Sequence, residues 1–298
     1  MSNGIIQTME NVKLIAMSGA NGFIGSNMCR KFKNNGWEII ALGRKEFALP
    51  TEELAKRLQG VDVIVNLAGA PVISRWTEEY KKVIYESRIT LTRKLVSACN
   101  LLEKPPHLFL STSAIGCYSA TGSHTEDDNI LADDFLGHLT RDWEQEAFRA
   151  KEFGCRTAIF RFGVVLGQGG GALAKMLLPF KLGLGGTIGN GKQPFSWVHI
   201  KDLIRAFETA IKDSTYEGIY NMTAPHPTTN LGLTKALGKA LSRPTILPVP
   251  GFFLRLLYGE GAQVLTSGQT VIPKRLIDSG FQFDFPSIEE AVSDCLKS

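Results

Sequence analysis

What most narrows the folds open to this chain lies near its start. The apolar run Leu14-Ile-Ala-Met-Ser18 passes straight into Gly19-Ala-Asn-Gly22-Phe-Ile-Gly25, and a helical pattern follows to about Asn35. Three glycines spaced three apart at a strand-to-helix turn suit a pyrophosphate. One tolerates positive φ at the turn, one lets backbone N–H groups approach phosphate oxygens, and one allows the helix to pack closely on the strand. The signal gains weight from its position, on the first buried strand of a repeating strand–helix pattern.

That pattern continues through WEIIALG, EELAKRLQ and VDVIVNLAG, a βαβαβ order that predicts a parallel sheet. A long helix is expected over Thr77–Leu102, then a buried strand, HLFLSTSA, after Pro105-Pro106. A helix from about Asp134 to Phe153 and the strand TAIFRFGVVL follow. Beyond Gly167 the texture changes, with nine glycines between Gly167 and Gly191. FSWVHIKDLIRAFETAI and GIYNMTA read as a helix and strand returning to the sheet, and Thr229–Ser298 as helical with proline-rich joints. The expected fold is α/β, a Rossmann-type doubly wound parallel sheet with a smaller, mostly helical C-terminal lobe for substrate. The expected division is 11–166 with returning segments 195–223 for the dinucleotide domain, and 167–194 with 224–298 for the lobe.

At 298 residues, 44% hydrophobic and 21% charged, the chain can bury a large core. Its net charge of +4 comes from Lys and Arg interspersed among 29 acids, which suggests mild attraction for phosphorylated ligands rather than nucleic acid. A nucleic-acid or membrane-surface role has only that charge behind it. The leader MSNGIIQTMENVK lacks an apolar core, and no stretch reaches the ~18 apolar residues of a membrane span, so no membrane partner is expected. Cys29, Cys99, Cys117, Cys155 and Cys295 have neither metal nor CxxC spacing, which suits reduced thiols in the cytoplasm. A Gly-x-Ser-x-Gly elbow is missing too.

The second strand ends in Gly43-Arg44-Lys45, where a ribose 2′-OH would ordinarily meet an acid. An Arg there favours a 2′-phosphate through charge-assisted bonds, hence NADP over NAD; a solvated basic turn is the plainer reading.

GANGFIG, Asn66-Leu67-Ala68-Gly69 and Ser111-Thr112-Ser113-Ala114 together resemble the extended short-chain dehydrogenase/reductase superfamily. ISRWTEEYKKVIYESRITLTRKL, FLGHLTRDWEQEA, APHPTTN and SGQTVIPKRLIDSGF look like its atypical branch of NAD(P)-dependent epimerase-like oxidoreductases, over about Lys13 to Leu296. The resemblance implies Gly19, Asn21, Gly22, Phe23, Ile24 and Gly25 under the pyrophosphate and Arg44 near the adenosine ribose. It puts Asn66, Leu67, Ala68, Gly69 and Ser111 along the cofactor, with a small-molecule substrate between sheet and lobe. Homodimers through the long helix and the helix after Asp134 follow from the same analogy.

The superfamily's chemistry uses Asn, Ser, Tyr and Lys, and here the match is incomplete. Ser113 is present, but Arg88 holds the Asn position, and Leu136 and Thr140 stand where Tyr and Lys belong. A phenol with pKa ~10 serves near neutrality only beside a stabilising cation. Tyr118 with Arg88 is one candidate substitute for the pair and His138 another; the plainer readings are a packed loop aromatic and a surface histidine. Arg161 could face an anionic substrate or pair with an acid of the adjacent helix. Trp197 and His199 could close the cofactor cleft or simply be packed, and Trp76 and Trp143 read as core anchors on helices. The expected function is an NADP-dependent oxidoreductase or epimerase acting on a small polar or nucleotide-linked substrate. The alternative is a non-catalytic NADP-binding module or redox sensor that contacts a protein partner.

Overall fold

The structure, a computed structural model, describes residues 13–128 and 132–297; the leader through Val12, with the expected domain start at residue 11, and Ser298 lie outside them. In chain order the elements are β1 Lys13–Ser18, α1 Phe23–Asn34, β2 Trp37–Leu42, α2 Arg44–Ala48, α3 Thr51–Arg57 and β3 Val63–Asn66. Helix α4 Glu78–Tyr85 passes through one π turn, Glu86–Thr90, into α5 Leu91–Asn100. Then come β4 Leu108–Ala114, β5 Ser123–His124, α6 Phe135–Phe148, β6 Arg156–Phe162 and β7 Val164–Leu166. The remainder is α7 Gly171–Lys181, β8 Pro194–Phe195, β9 Trp197–His199, α8 Ile200–Lys212, β10 Gly218–Met222, β11 Thr228–Thr229 and α9 Asn230–Leu241. It closes with α10 Gly251–Tyr258, α11 Gln263–Thr266, β12 Thr270–Val271, α12 Lys274–Asp278 and α13 Ile288–Cys295.

Six strands form one parallel sheet in the order β10-β6-β4-β3-β1-β2. Its alternating side chains go to two different cores, as a period of two requires. Ile15, Met17, Val63, Val65, Leu108 and Leu110 pack on one face against Met28 and Phe32 of α1 and Leu203 and Phe207 of α8. Ala16, Ile64, Phe109 and Ile159 pack on the other against Leu54, Leu95, Ala98 and Ala147. The chain leaves β1 toward β2 on one side and returns to β3 on the other, which opens a crevice at the carboxyl ends of β1 and β3, where open α/β sheets bind ligands.

The strand written as TAIFRFGVVL is interrupted at Gly163, so β7 leaves the main sheet and pairs with β9. Two further short pairings, β8 with β11 and β5 with β12, join the C-terminal segments to the body. A separate core of Leu166, Leu173, Phe180, Trp197, Leu233, Leu237 and Val292 lies beneath α7, α9 and α13. Trp76 and Trp143 are both buried with Ile84, Ile89 and Leu139. Trp76 sits not on a helix but just ahead of Thr77, whose side chain caps α4.

Candidate functional site

The turn after β1 is built as its glycines demand. Gly19 has φ +69°, and a Cβ there would lie 3.0 Å from the Leu67 backbone; a Cβ on Gly25 would lie 2.2 Å from the Gly19 carbonyl oxygen. Helix α1 therefore starts hard against the end of β1. Its cap, Gly22, offers no side chain, and no acid stands in the first turn. The N–H groups at this helix end, with the partial positive charge of the helix, face the crevice as an anion site. Asn21 is exposed at the tip. Phe23 and Ile24 are half-buried, their side chains packed against the core, so the turn presents chiefly their backbone. The Phe23 ring fills the space that side chains on Gly167, Gly170 and Gly171 would need, so the glycine-rich segment is shaped in part to fit over it.

Two residues expected along the cofactor are instead ties within the sheet. Ser18 Oγ donates to Asn66 Oδ1 (2.7 Å) and accepts from the backbone N–H groups of Leu67 (3.0 Å) and Ala68 (3.1 Å). Asn66 Nδ2 donates to Thr92 Oγ1 (2.8 Å) and Ser111 Oγ (3.3 Å). Asn66 and Ser111 are both fully buried, because satisfying a buried amide uses every group within reach. What reaches the crevice is the backbone they hold, with Leu67 and Ala68 half-buried and Gly69 exposed.

Arg88 lies in the π turn, a distortion frequent at functional sites. It donates to the carbonyls of Ala70 (2.9 Å) and Ile84 (3.2 Å), stacks 5.3 Å from the Trp143 ring centre, and touches Gly69. Burial lowers its pKa to about 10, which leaves it charged at neutral pH. Among the described residues it has no carboxylate partner.

Ser113, Glu144, Arg161, Tyr118 and Asn221 form one buried chain of polar contacts. Ser113 Oγ donates to Glu144 Oε1 (2.6 Å); Arg161 grips the same carboxylate through Nε (2.8 Å) and Nη2 (2.7 Å). Arg161 Nη1 donates to the Tyr118 hydroxyl (2.8 Å), which donates to Asn221 Oδ1 (2.9 Å). Burial opposes the charge on Arg161, and the bonds from Glu144 more than offset that. Burial pushes Tyr118 up to about 12 despite Arg161. Tyr118 is fully buried, its ring stacked 5.0 Å from His124 and its hydroxyl occupied on both sides. This corrects the expectation that Tyr118 supplies a proton with help from Arg88: its cation is Arg161, and the phenol is closed off.

On α6, Leu136 lies near Gly116, and Thr140 turns its hydroxyl back to the Leu136 and Gly137 carbonyls. Neither can take over the proton chemistry of Tyr and Lys. His138 is an exposed helix residue 3.1 Å from Asp133. Trp197 and His199 are packed. His199 caps α8 by accepting from Lys201 N (3.3 Å), and burial brings its pKa down to about 4 although Asp294 lies 3.3 Å away, off the line of a hydrogen bond. A groove of about 1090 Å³ opens at Asn21–Phe23 and runs between α1 and α8, but Lys201, Arg205 and Lys297 in it are paired with Asp294, Asp202 and Asp284. Arg44, by contrast, is exposed at the start of α2, with no ion pair among the described residues, while Glu46 turns away to cap Gly43 N (2.8 Å).

The pairing of Arg161 with an acid of the adjacent helix, one of its two sequence readings, is what the structure shows, with Glu144 of α6 as the acid; the sequence had not linked that pair to Ser113 or Tyr118. The trace of the pair was there, since an Arg in the middle of an apolar strand needs an acid within reach.

A parallel sheet with a glycine-lined anion turn at its switch point and a serine at the end of β4 defines a dinucleotide-binding fold of the short-chain dehydrogenase type. The chain belongs to the NAD dependent epimerase/dehydratase family, which it matches over residues 15–223; residues 249–295 match a domain of unknown function, DUF1731. It is 35% identical to the human epimerase family protein SDR39U1 over 289 residues, covering 94% of this chain and 98% of that one. It is likewise 35% identical to the epimerase family protein YfhF of Bacillus subtilis over 300 residues, covering 95% and 97%. The crystal structure of human SDR39U1 with NADPH superposes with a TM-score of 0.86 at 33% identity, covering 95% of this chain and 98% of that one.

Proposed function

We propose that the protein binds NADP(H) at the crevice and acts as an oxidoreductase or epimerase-like enzyme on a small polar or nucleotide-linked substrate held by the lobe of residues 167–194 and 224–298. The observation that carries this reading is the pairing of an uncapped α1 N-terminus, closed tightly around Gly19 and Gly25, with a free Arg44 at the end of β2. The turn fits a pyrophosphate, since side chains at Gly19 and Gly25 would fill the space its backbone needs. Arg44, with Lys45 beside it, fits a 2′-phosphate. The relative crystallised with NADPH supports the same choice.

When bound, the nicotinamide supplies or takes up a hydride. The chain's own residues orient and stabilise. The backbone of Leu67–Gly69, held by Ser18 and Asn66, would lie along the cofactor, and Arg88 sets a positive charge beside Gly69. Ser113, fixed by Glu144 and Arg161, anchors the reacting group, and Tyr118 acts through Arg161 as a positioning residue. In the absence of a Tyr–Lys pair, a proton must come from water or from the substrate. A second reading, a binding module without turnover, is favoured by Leu136 and Thr140 at the pair's positions. A homodimer through α4–α5 and α6 belongs to the proposal by analogy, and light scattering tests it. The five unpaired cysteines support a reducing compartment, the cytoplasm on our reading. Among the described residues no helix is long and apolar enough to cross a membrane.

Calorimetric titration with NADPH and NADH tests the cofactor. NADPH should bind more tightly, and Arg44→Ala should weaken NADPH by about tenfold while leaving NADH nearly unchanged, the loss of one charge-assisted contact. Failure to bind either nucleotide would overturn the proposal. Turnover abolished by Ser113→Ala would decide against the module.

A further inference from the structure

Charge and apolar exposure are distributed very unevenly over this molecule. Residues 167–200 and 224–259 contain seven Lys and Arg residues and no acid, so all 29 Asp and Glu lie elsewhere. All seven cations are exposed, and none is in an ion pair among the described residues. The same two segments carry ten of the thirteen large apolar side chains that the described structure exposes.

Eight of the ten lie on adjoining stretches of backbone. Thr187 and Gly189 exchange backbone hydrogen bonds with Val249 (2.7 and 2.9 Å), and Gly183 packs on Pro244, which sets Leu182 and Leu184 beside Ile246 and Leu247. Pro250 then leads directly into α10. There Phe252 and Leu256, and Phe253 and Leu257, stand four apart and so share a face, with Phe252 74% and Leu256 69% exposed. Lys181 and Arg255 lie in the same stretches.

We propose that this face is a docking surface for an anionic lipid bilayer, with α10 lying in the plane of the interface. Apolar exposure on this scale marks an interaction site. A second copy docking through the same face would bring the cations of these acid-free segments against their own copies, and Glu260, just after α10, is already held by Lys81 (2.6 Å). An anionic headgroup layer answers the charges, and the acyl boundary takes up the aromatic and leucine side chains. At eight residues α10 is far too short to span a bilayer, so the contact is peripheral. The proposal goes beyond the cofactor reading and is independent of it. It also departs from the sequence expectation of no membrane partner, which weighed charge over the whole chain.

Sedimentation of the full chain with phosphatidylcholine vesicles, with and without phosphatidylglycerol, tests the proposal. Binding is expected only to the vesicles containing phosphatidylglycerol, and it should weaken as salt is raised. Phe252→Ser with Leu256→Ser, or Lys181→Glu with Arg255→Glu, should lower it by at least about tenfold, with the thermal midpoint unchanged because all four side chains are exposed. Failure to sediment with either vesicle, equal binding to both, or variants that bind like the parent would each overturn the proposal. So would light scattering showing a dimer that Phe252→Ser with Leu256→Ser dissolves, because a second copy would then cover the face.

Discussion

Arg161 and Glu144 meet through two hydrogen bonds in a space closed to water, and removing either partner strands a charge. Arg161→Met should cost about 3–5 kcal/mol in urea unfolding, and a double variant that also changes Glu144→Gln should recover part of that loss. His199 carries a pH dependence whose sign can be worked out. The folded state holds it neutral down to about 4, against an ordinary value of 6.5, so the unfolded chain takes up the proton first as pH falls. Stability from this group is complete above pH 6.5 and declines between 6.5 and about 4, by at most about 3 kcal/mol. His199→Asn, which retains a capping side chain, should flatten that limb in denaturation midpoints measured across the range. At this scale the sequence was only half legible. Ser113 and the glycines could be placed because the backbone determines their position, whereas Tyr118's burial and its partners Arg161 and Asn221 depend on β6 arriving beside β4 and β10 beside β6.

Elements are tied to one another here by single polar atoms. Thr92 Oγ1, on α5, accepts from Asn66 at the end of β3 and from Trp143 Nε1 (3.0 Å) on α6. Thr92→Val keeps the shape and leaves both buried donors unanswered, for an expected loss of about 2 kcal/mol seen as a lower urea midpoint. Gly25→Ala pushes α1 off the end of β1, because its methyl would sit on the Gly19 carbonyl; a loss of about 1–3 kcal/mol should come with weakened NADPH binding in the same calorimetric titration. The strand and helix order was readable from periodicity. The π turn was not, since Thr77–Leu102 reads as one uninterrupted helix, and only contact with the loop after β3 shows why an extra residue is accommodated at Arg88.

For the molecule as a whole, the parallel sheet followed from the βα alternation, and the two-face burial of its strands from their apolar runs. The short pairings that join the C-terminal segments to the body could not be read, because two-residue strands carry no period. Charge showed the reverse problem. A net value of +4 looks unremarkable until it is divided by region, when the acid-free segments 167–200 and 224–259 separate from a remainder in which cations and carboxylates are largely matched. Spatial segregation of this kind is invisible to a total.

A hydroxyl owns one hydrogen, and Ser113 has committed its own to Glu144. To any further partner that oxygen can offer only lone pairs. A bare carbonyl arriving there would find no donor, while an alcohol or amine bringing its own hydrogen would be welcomed. If Ser113 meets the substrate as proposed, the polarity of this single contact favours the alcohol over the carbonyl of a substrate pair in the resting pocket.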